Sequence, residues 1–296
     1  MPIVEVSPGM SIAYEAFGDP ADAPVLLVMG LGGQLIAWHE DFCRALADRG
    51  RYVIRYDNRD CGLSTKFDDH PVDMGRLIGA LGSGDFPSAR ALVPYTLQDL
   101  ADDGLDLLTA LGIERAHVVG SSMGGMIAQT MAITRPARVL TLTSMMSSTG
   151  EPEYGRSTPE AQAVVSAPKP ADREGYVAAA ERELVWASKR YGDPAVLREL
   201  AAHSYDRAYY PAGAARQLGA VVLGGSRADA LRELQVPTLV IHGLDDTLIN
   251  PDGGQRTAEL VPGAKLLLIP DMGHDRPREL WPEIVDAIGA HTGLVA

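Results

Sequence analysis

His117-Val-Val-Gly-Ser-Ser-Met-Gly-Gly-Met-Ile-Ala-Gln-Thr-Met-Ala-Ile-Thr134 carries more structural information than any other part of this chain. Its first three residues are a short apolar run of strand type, and Met123 to Thr134 reads as a helix stopped by Pro136. Between them, Gly120-Ser121-Ser122-Met123-Gly124 fits Gly-x-Ser-x-Gly. A strand that turns sharply into a helix crowds the backbone, so the flanking positions need glycine to avoid Cβ clashes. A serine hydroxyl is a poor nucleophile unless a base takes its proton and the backbone holds it out. Ser122 is therefore the candidate nucleophile. Ser121, at the variable position, is not assigned the attack.

Working outward, the same strand–helix rhythm recurs. Ile3–Val6 and Ser11–Phe17 flank Pro8-Gly9 as a β-hairpin. Val25–Met29 and Tyr52–Tyr56 read as strands around a helical pattern of Trp38, Phe42, Leu46 and Ala47. Leu97 to Leu111 forms an amphipathic helix ending at Gly112, and Val139–Ser144 is a further strand. The rhythm breaks after Gly150 and resumes with strands at Pro237–His242 and Lys265–Ile269, then a helix from Pro277 to about Ala290. Strands apolar on both faces and separated by helices mean a mostly parallel sheet covered on both sides, an α/β fold. Residues 151–225, rich in Ala, Glu and Arg with helical runs at Glu174–Lys189 and Ala195–His203, read as a helical cap inserted into a core made of 1–150 and 226–296. Phe67–Pro94, with four glycines, is too long for an ordinary connection and reads as a flap beside the site or a surface insertion.

The base that Ser122 needs should lie on a loop after the final strand. Asp271-Met-Gly-His274 directly follows Lys265–Ile269, and Gly273 lets an imidazole reach back, so His274 is the candidate base. An acid must hold that imidazole in the right tautomer. His242-Gly-Leu-Asp-Asp-Thr-Leu-Ile-Asn-Pro251 follows the penultimate strand, and Asp246 is favoured over Asp245, which reads as a solvated or capping carboxylate. The loop after Val139–Ser144 offers only Ser, Met and Thr before Glu151, which supports Asp246. The chain order Ser, Asp, His is the one this architecture uses. Two N–H donors must hold an oxyanion. The amide of Met123 at the helix N-terminus is one; the other comes from Gly30-Leu-Gly-Gly33, with Leu31 chosen and Gly32 the alternative.

Composition bounds the partners. The 296 residues carry 39 acidic and 26 basic side chains, a formal charge of −13, which gives neither nucleic acid nor an anionic membrane a counter-charge. No apolar run approaches a membrane span, and the first residues lack a signal-peptide pattern. Cys43 and Cys61 fit neither a disulfide framework nor a metal site, and read as reduced thiols of a cytoplasmic protein. Oligomeric state is not legible.

With these residues in place, the chain resembles the α/β-hydrolase superfamily over essentially its whole length. Asp57-Asn-Arg-Asp-Cys-Gly-Leu-Ser64 looks like that family's D-x-R-G-x-G-x-S loop, with Asp60 where glycine is usual. The resemblance makes Arg59 and Ser64 braces of this loop. Met29-Gly-Leu-Gly-Gly33, Asp57-Asn-Arg-Asp60 and Gly120-Ser-Ser-Met-Gly124 look most like aclacinomycin methylesterase and its relatives, which remove a methyl ester from a polyketide aglycone. The likeness is in the core and not in the cap, where substrate is chosen, so it implies a carboxylic ester hydrolase and no particular ester. It implies no metal and no organic cofactor. Carbon–carbon hydrolases, lactonases and perhydrolases share this triad, and a non-catalytic ligand-binding protein is a different class. Dehalogenases and epoxide hydrolases place Asp at the nucleophile position, where Ser122 stands. Met145, Trp186 and Tyr209, with Met146, Tyr205 and Tyr210, are the candidate substrate contacts, and would suit a small apolar ester.

Overall fold

The computed structural model describes residues 1–293. Ile3–Ser7 (β1) and Met10–Phe17 (β2) form the expected antiparallel hairpin, with Gly9 at φ 77° in its turn. Ala23–Val28 (β3), Glu40–Ala47 (α1) and Arg51–Tyr56 (β4) follow. After Met74–Gly82 (α2) and Phe86–Ala91 (α3) come Leu97–Ala110 (α4), Ala116–Ser121 (β5), Met123–Thr134 (α5) and Val139–Met145 (β6). Helices Pro159–Ser166 (α6), Arg173–Ala179 (α7), Pro194–Ala208 (α8) and Pro211–Gly224 (α9) then leave the sheet. Ala228–Arg232 (α10), Thr238–Gly243 (β7), Asp252–Leu260 (α11), Lys265–Ile269 (β8) and Trp281–Thr292 (α12) complete the core.

The eight strands form one sheet in the order β1-β2-β4-β3-β5-β6-β7-β8. Among the described residues only the β1–β2 and β2–β4 pairs are antiparallel; every pair from β4 to β8 is parallel. Period-two alternation divides the core between the two faces. Leu26, Val28 and Val118 pack with Leu100, Leu105 and Ile127 under α4 and α5. Val25, Leu27 and Val119 pack with Phe42, Leu46, Ile284 and Ile288 under α1 and α12. Every residue of β5, β6 and β7 is buried, as a sheet covered on both sides requires. Strand order reverses at β3, which has β4 on one side and β5 on the other. In open parallel sheets the crevice beyond the carboxyl ends at such a point is where ligands bind.

The structure adds to the sequence reading in one place and departs from it in three. Residues 67–94, read as a flap or a surface insertion, hold α2 and α3, around a small core of Leu77, Ala89 and Val93, packed toward Val222 and Leu223 of α9. The expected helix Glu174–Lys189 stops as α-helix at Ala179, continues as a 3-10 segment to Val185 and then runs as an irregular strap. Pro277 does not open the last helix. Its ψ of 146° is extended, a 3-10 turn follows at Arg278–Leu280, and Pro282 takes the first-turn place in α12. Met145 and Met146 are both buried in the core, but the cavity beside Ser122 is bordered by Met146, at φ 41°, and not by Met145, which is therefore no substrate contact. Among the described residues no helix is long and apolar enough to cross a membrane.

Candidate active site

Ser122 stands between β5 and α5 at φ 59° and ψ −123°, a backbone conformation costly for any side-chain-bearing residue. The turn tolerates it because its neighbours are bare. A Cβ on Gly120 would strike the Gly124 carbonyl, and one on Gly124 would strike the Val28 carbonyl of β3. Ser122 N–H donates to Met145 O at 2.9 Å, and Ser147 Oγ donates to Ser122 O at 2.8 Å, which fixes the turn from the β6 side.

The three residues selected from sequence meet here. His274 Nε2 lies 2.9 Å from Ser122 Oγ, and His274 Nδ1 lies 2.7 Å from Asp246 Oδ2. Asp246 is buried, and its Oδ1 accepts from the amides of Leu248 and Ile249, both at 2.9 Å. Burial alone would raise its pKa; the His274 charge and hydrogen bonds from His242 and His274 outweigh this and hold it at about 2. His242 thus takes part. Its Nε2 lies 2.8 Å from Ile249 O and 3.3 Å from Asp246 Oδ2, a supporting contact beyond the structural place expected for it. Asp245 is not a solvated carboxylate: it accepts the Lys189 amide at 3.2 Å and pairs with Lys189 Nζ at 3.1 Å.

Both donor positions for an oxyanion border the serine. Met123 opens α5, and its N–H meets no acceptor among the described residues. Gly30 packs so tightly that a Cβ there would come within 3.0 Å of Ser122 Cβ, and Leu31 follows it. The alternative, Gly32, is engaged: its N–H donates to Gln217 Oε1 at 2.8 Å. The Leu31 N–H meets no acceptor among the described residues.

The helices between β6 and β7 reach the loop after β4 through buried ion pairs. Arg207 of α8 pairs with Asp57 at 2.7 Å, and Asp57 also accepts the Leu35 and Leu63 amides. Arg216 of α9 pairs with Asp60 at 2.8 Å, and Tyr95 OH donates to the same carboxylate at 2.7 Å. Asp60 holds φ 63°, which is where the family loop has glycine. Arg59 and Ser64 brace the loop: Arg59 pairs with Asp103 at 2.6 Å, and Ser64 Oγ donates to Asp57 O at 2.6 Å. These partners lie far along the chain, and no local pattern announces Arg207, Arg216 or Gln217.

A cavity of about 370 Å³ opens above Ser122, bordered by Leu31, Met146, Trp186, Tyr209, His274 and Arg276. Trp186 and Tyr209 are thus placed as expected, and Tyr210 joins them. Tyr205 lies behind, its ring centroid 4.6 Å from that of Tyr209 and its hydroxyl on Ala171 O. Cys43 and Cys61 are buried free thiols, pushed up to about 12 by burial. Among the described residues no group of three or more His, Cys, Asp or Glu side chains is placed to hold a metal ion.

Fold and site define a class, and sequence comparison agrees. Residues 23–275 match the model of the alpha/beta hydrolase fold, and the chain belongs to that family. It is 29% identical to the rhodomycin D methylesterases of Streptomyces sp. (strain C5) and Streptomyces peucetius, over 94% of this chain and 93% of theirs. Among solved structures, the enol-lactonase from Burkholderia xenovorans LB400 superposes with a TM-score of 0.73 at 23% identity, covering 99% of this chain and 100% of that one. The last likeness speaks for the fold alone.

Proposed function

We propose that this chain is a serine hydrolase of carboxylic esters working through an acyl-enzyme. The observation that carries the reading is the unbroken line from Ser122 Oγ to His274 Nε2 at 2.9 Å and from His274 Nδ1 to Asp246 Oδ2 at 2.7 Å. Relatives named methylesterases, matched over nearly the whole chain, support ester cleavage.

In this reading His274 takes the Ser122 proton as Oγ attacks the ester carbonyl. The carbonyl oxygen, now negative, is held by the amides of Leu31 and Met123. His274 then gives its proton to the departing alcohol. Water, activated by the same imidazole, cleaves the acyl-enzyme and restores the serine. Asp246 keeps Nδ1 protonated and stabilises the imidazolium. Residues 151–225 serve as the cap over a core of 1–150 and 226–296, and Trp186 and Tyr209 contact an apolar part of a small-molecule substrate.

Labelling with a fluorophosphonate followed by peptide mass mapping tests the nucleophile. The expected adduct is on Ser122 in the wild type and is missing in Ser122→Ala and His274→Ala. An adduct elsewhere, or equal labelling of His274→Ala, contradicts the reading.

A further inference from the structure

Arg216 is buried and Arg59 and Arg207 are largely enclosed, and each of the three faces a carboxylate. Lys66 and Arg227 do not, but neutral oxygens satisfy them. Lys66 Nζ donates to the carbonyls of Cys61, Gly62 and Ser64, and each Arg227 nitrogen has an oxygen acceptor within 3.3 Å. Arg276 is different. Its Nη1 donates to Ser121 Oγ at 2.7 Å, its Nη2 to Ala37 O at 3.0 Å, and its guanidinium lies 4.3 Å over the Trp38 ring. Its Nε meets no acceptor among the described residues, and none of their carboxylates lies within ion-pair distance of it. Neighbouring Asp275 turns its Oδ1 to the amides of Ser188 and Gly273 instead. Arg276 borders the cavity beside Ser122. The other charged side chains of that wall are matched, Lys169 with Glu183 at 3.5 Å and Asp60 with Arg216.

Arg276 is half-buried, and a charge partly withdrawn from water is costly unless something supplies its counter-charge. A guanidinium braced on an aromatic face, with an N–H to spare, is suited to a carboxylate. We propose that Arg276 is the recognition site for a carboxylate on the substrate, so that the preferred esters are half-esters carrying a free carboxylate near the bond that Ser122 attacks. Burial pulls the Arg276 pKa down to about 10, which leaves it cationic at neutral pH. This inference rests on Ser122 as nucleophile and names the substrate class of that site.

Two readouts test it, in wild type, Arg276→Leu and Arg276→Lys. The first is kcat/KM for monomethyl glutarate relative to its neutral amide, methyl glutaramate. The wild type should favour the anion by about tenfold or more, Arg276→Leu should abolish the preference, and Arg276→Lys should keep part of it. The second needs no turnover: glutarate should slow fluorophosphonate labelling of Ser122 saturably in wild type, glutaramide should not, and the protection should vanish in Arg276→Leu. Equal loss on both esters in Arg276→Leu, or no glutarate protection of a wild type that labels normally, overturns the proposal and leaves the nucleophile standing. Absence of any Ser122 label overturns the serine-hydrolase reading and this inference with it.

Discussion

Ser122 keeps its positive φ because two glycines and the carbonyls of β3 and α5 leave the backbone no other path. The strain has a use, since it lifts Oγ toward His274 and sets the Met123 amide at a helix N-terminus, where the dipole favours negative charge. Asp246 is the other costly residue: a buried carboxylate, satisfied by two amides and the imidazole. Its Oδ1 bonds would survive amidation in outline, but a carboxamide cannot hold His274 in the Nδ1–H tautomer. Asp246→Asn should therefore lower kcat by roughly 10³–10⁴-fold with little change in KM, read by steady-state ester hydrolysis. A small loss, under about tenfold, would place the orienting acid elsewhere.

At the scale of elements, the inserted helices are wired to the loops around Ser122 at two ends. On one side the end of the 3-10 segment and the strap after it are held through their carbonyls: His274 N–H donates to Trp186 O at 2.6 Å, and Thr247 Oγ1 to Val185 O at 2.8 Å. On the other, α8 and α9 reach two loops, Gln217 the one after β3 and Arg207 and Arg216 the one after β4. The insertion thus sets the geometry of the site as well as covering it. Removing one partner of a buried pair strands the other's charge. Arg216→Ala should cost about 3–5 kcal/mol in urea unfolding, while Arg216→Leu combined with Asp60→Asn should cost clearly less. Equal losses for the single and double variants would mean that the Asp60–Arg216 pair does not hold α9.

For the whole molecule, acid stability follows from groups the fold keeps in one state. His117 is buried in β5, 2.9 Å from Thr141 Oγ1, and burial with nearby Arg51 lowers its pKa to about 4; burial also lowers His291. A base whose folded pKa is depressed stabilises the fold fully above its unfolded value, about 6.5, and that contribution is lost as pH falls through the folded value. Asp246, held at about 2, adds a second contribution, present above about pH 4 and lost as pH falls toward its folded value. Urea midpoints should fall between pH 6.5 and 4 in the wild type and less steeply in His117→Gln; Asp246→Asn should flatten only the region below pH 4. A His117→Gln profile parallel to wild type would contradict this assignment. The same scale explains what sequence could reveal. Ser122, Asp246 and His274 were legible because each ends a strand on a loop with its own glycine pattern. Met145 and Met146 were not separable, since one residue of alternation at a strand end decides which faces the cavity. Asp60 was legible as a departure from glycine, but Arg216 lies 156 residues away and only the fold brings it there. Arg276, two residues past His274, gave no periodic signal; its meaning lies in the missing counter-charge.

The most direct measurement is turnover of a p-nitrophenyl ester series, acetate to decanoate, by wild type and Ser122→Ala. The account predicts hydrolysis by the wild type with an optimum chain length set by the cavity, and loss of that activity in the variant. Ester hydrolysis retained in Ser122→Ala would contradict it.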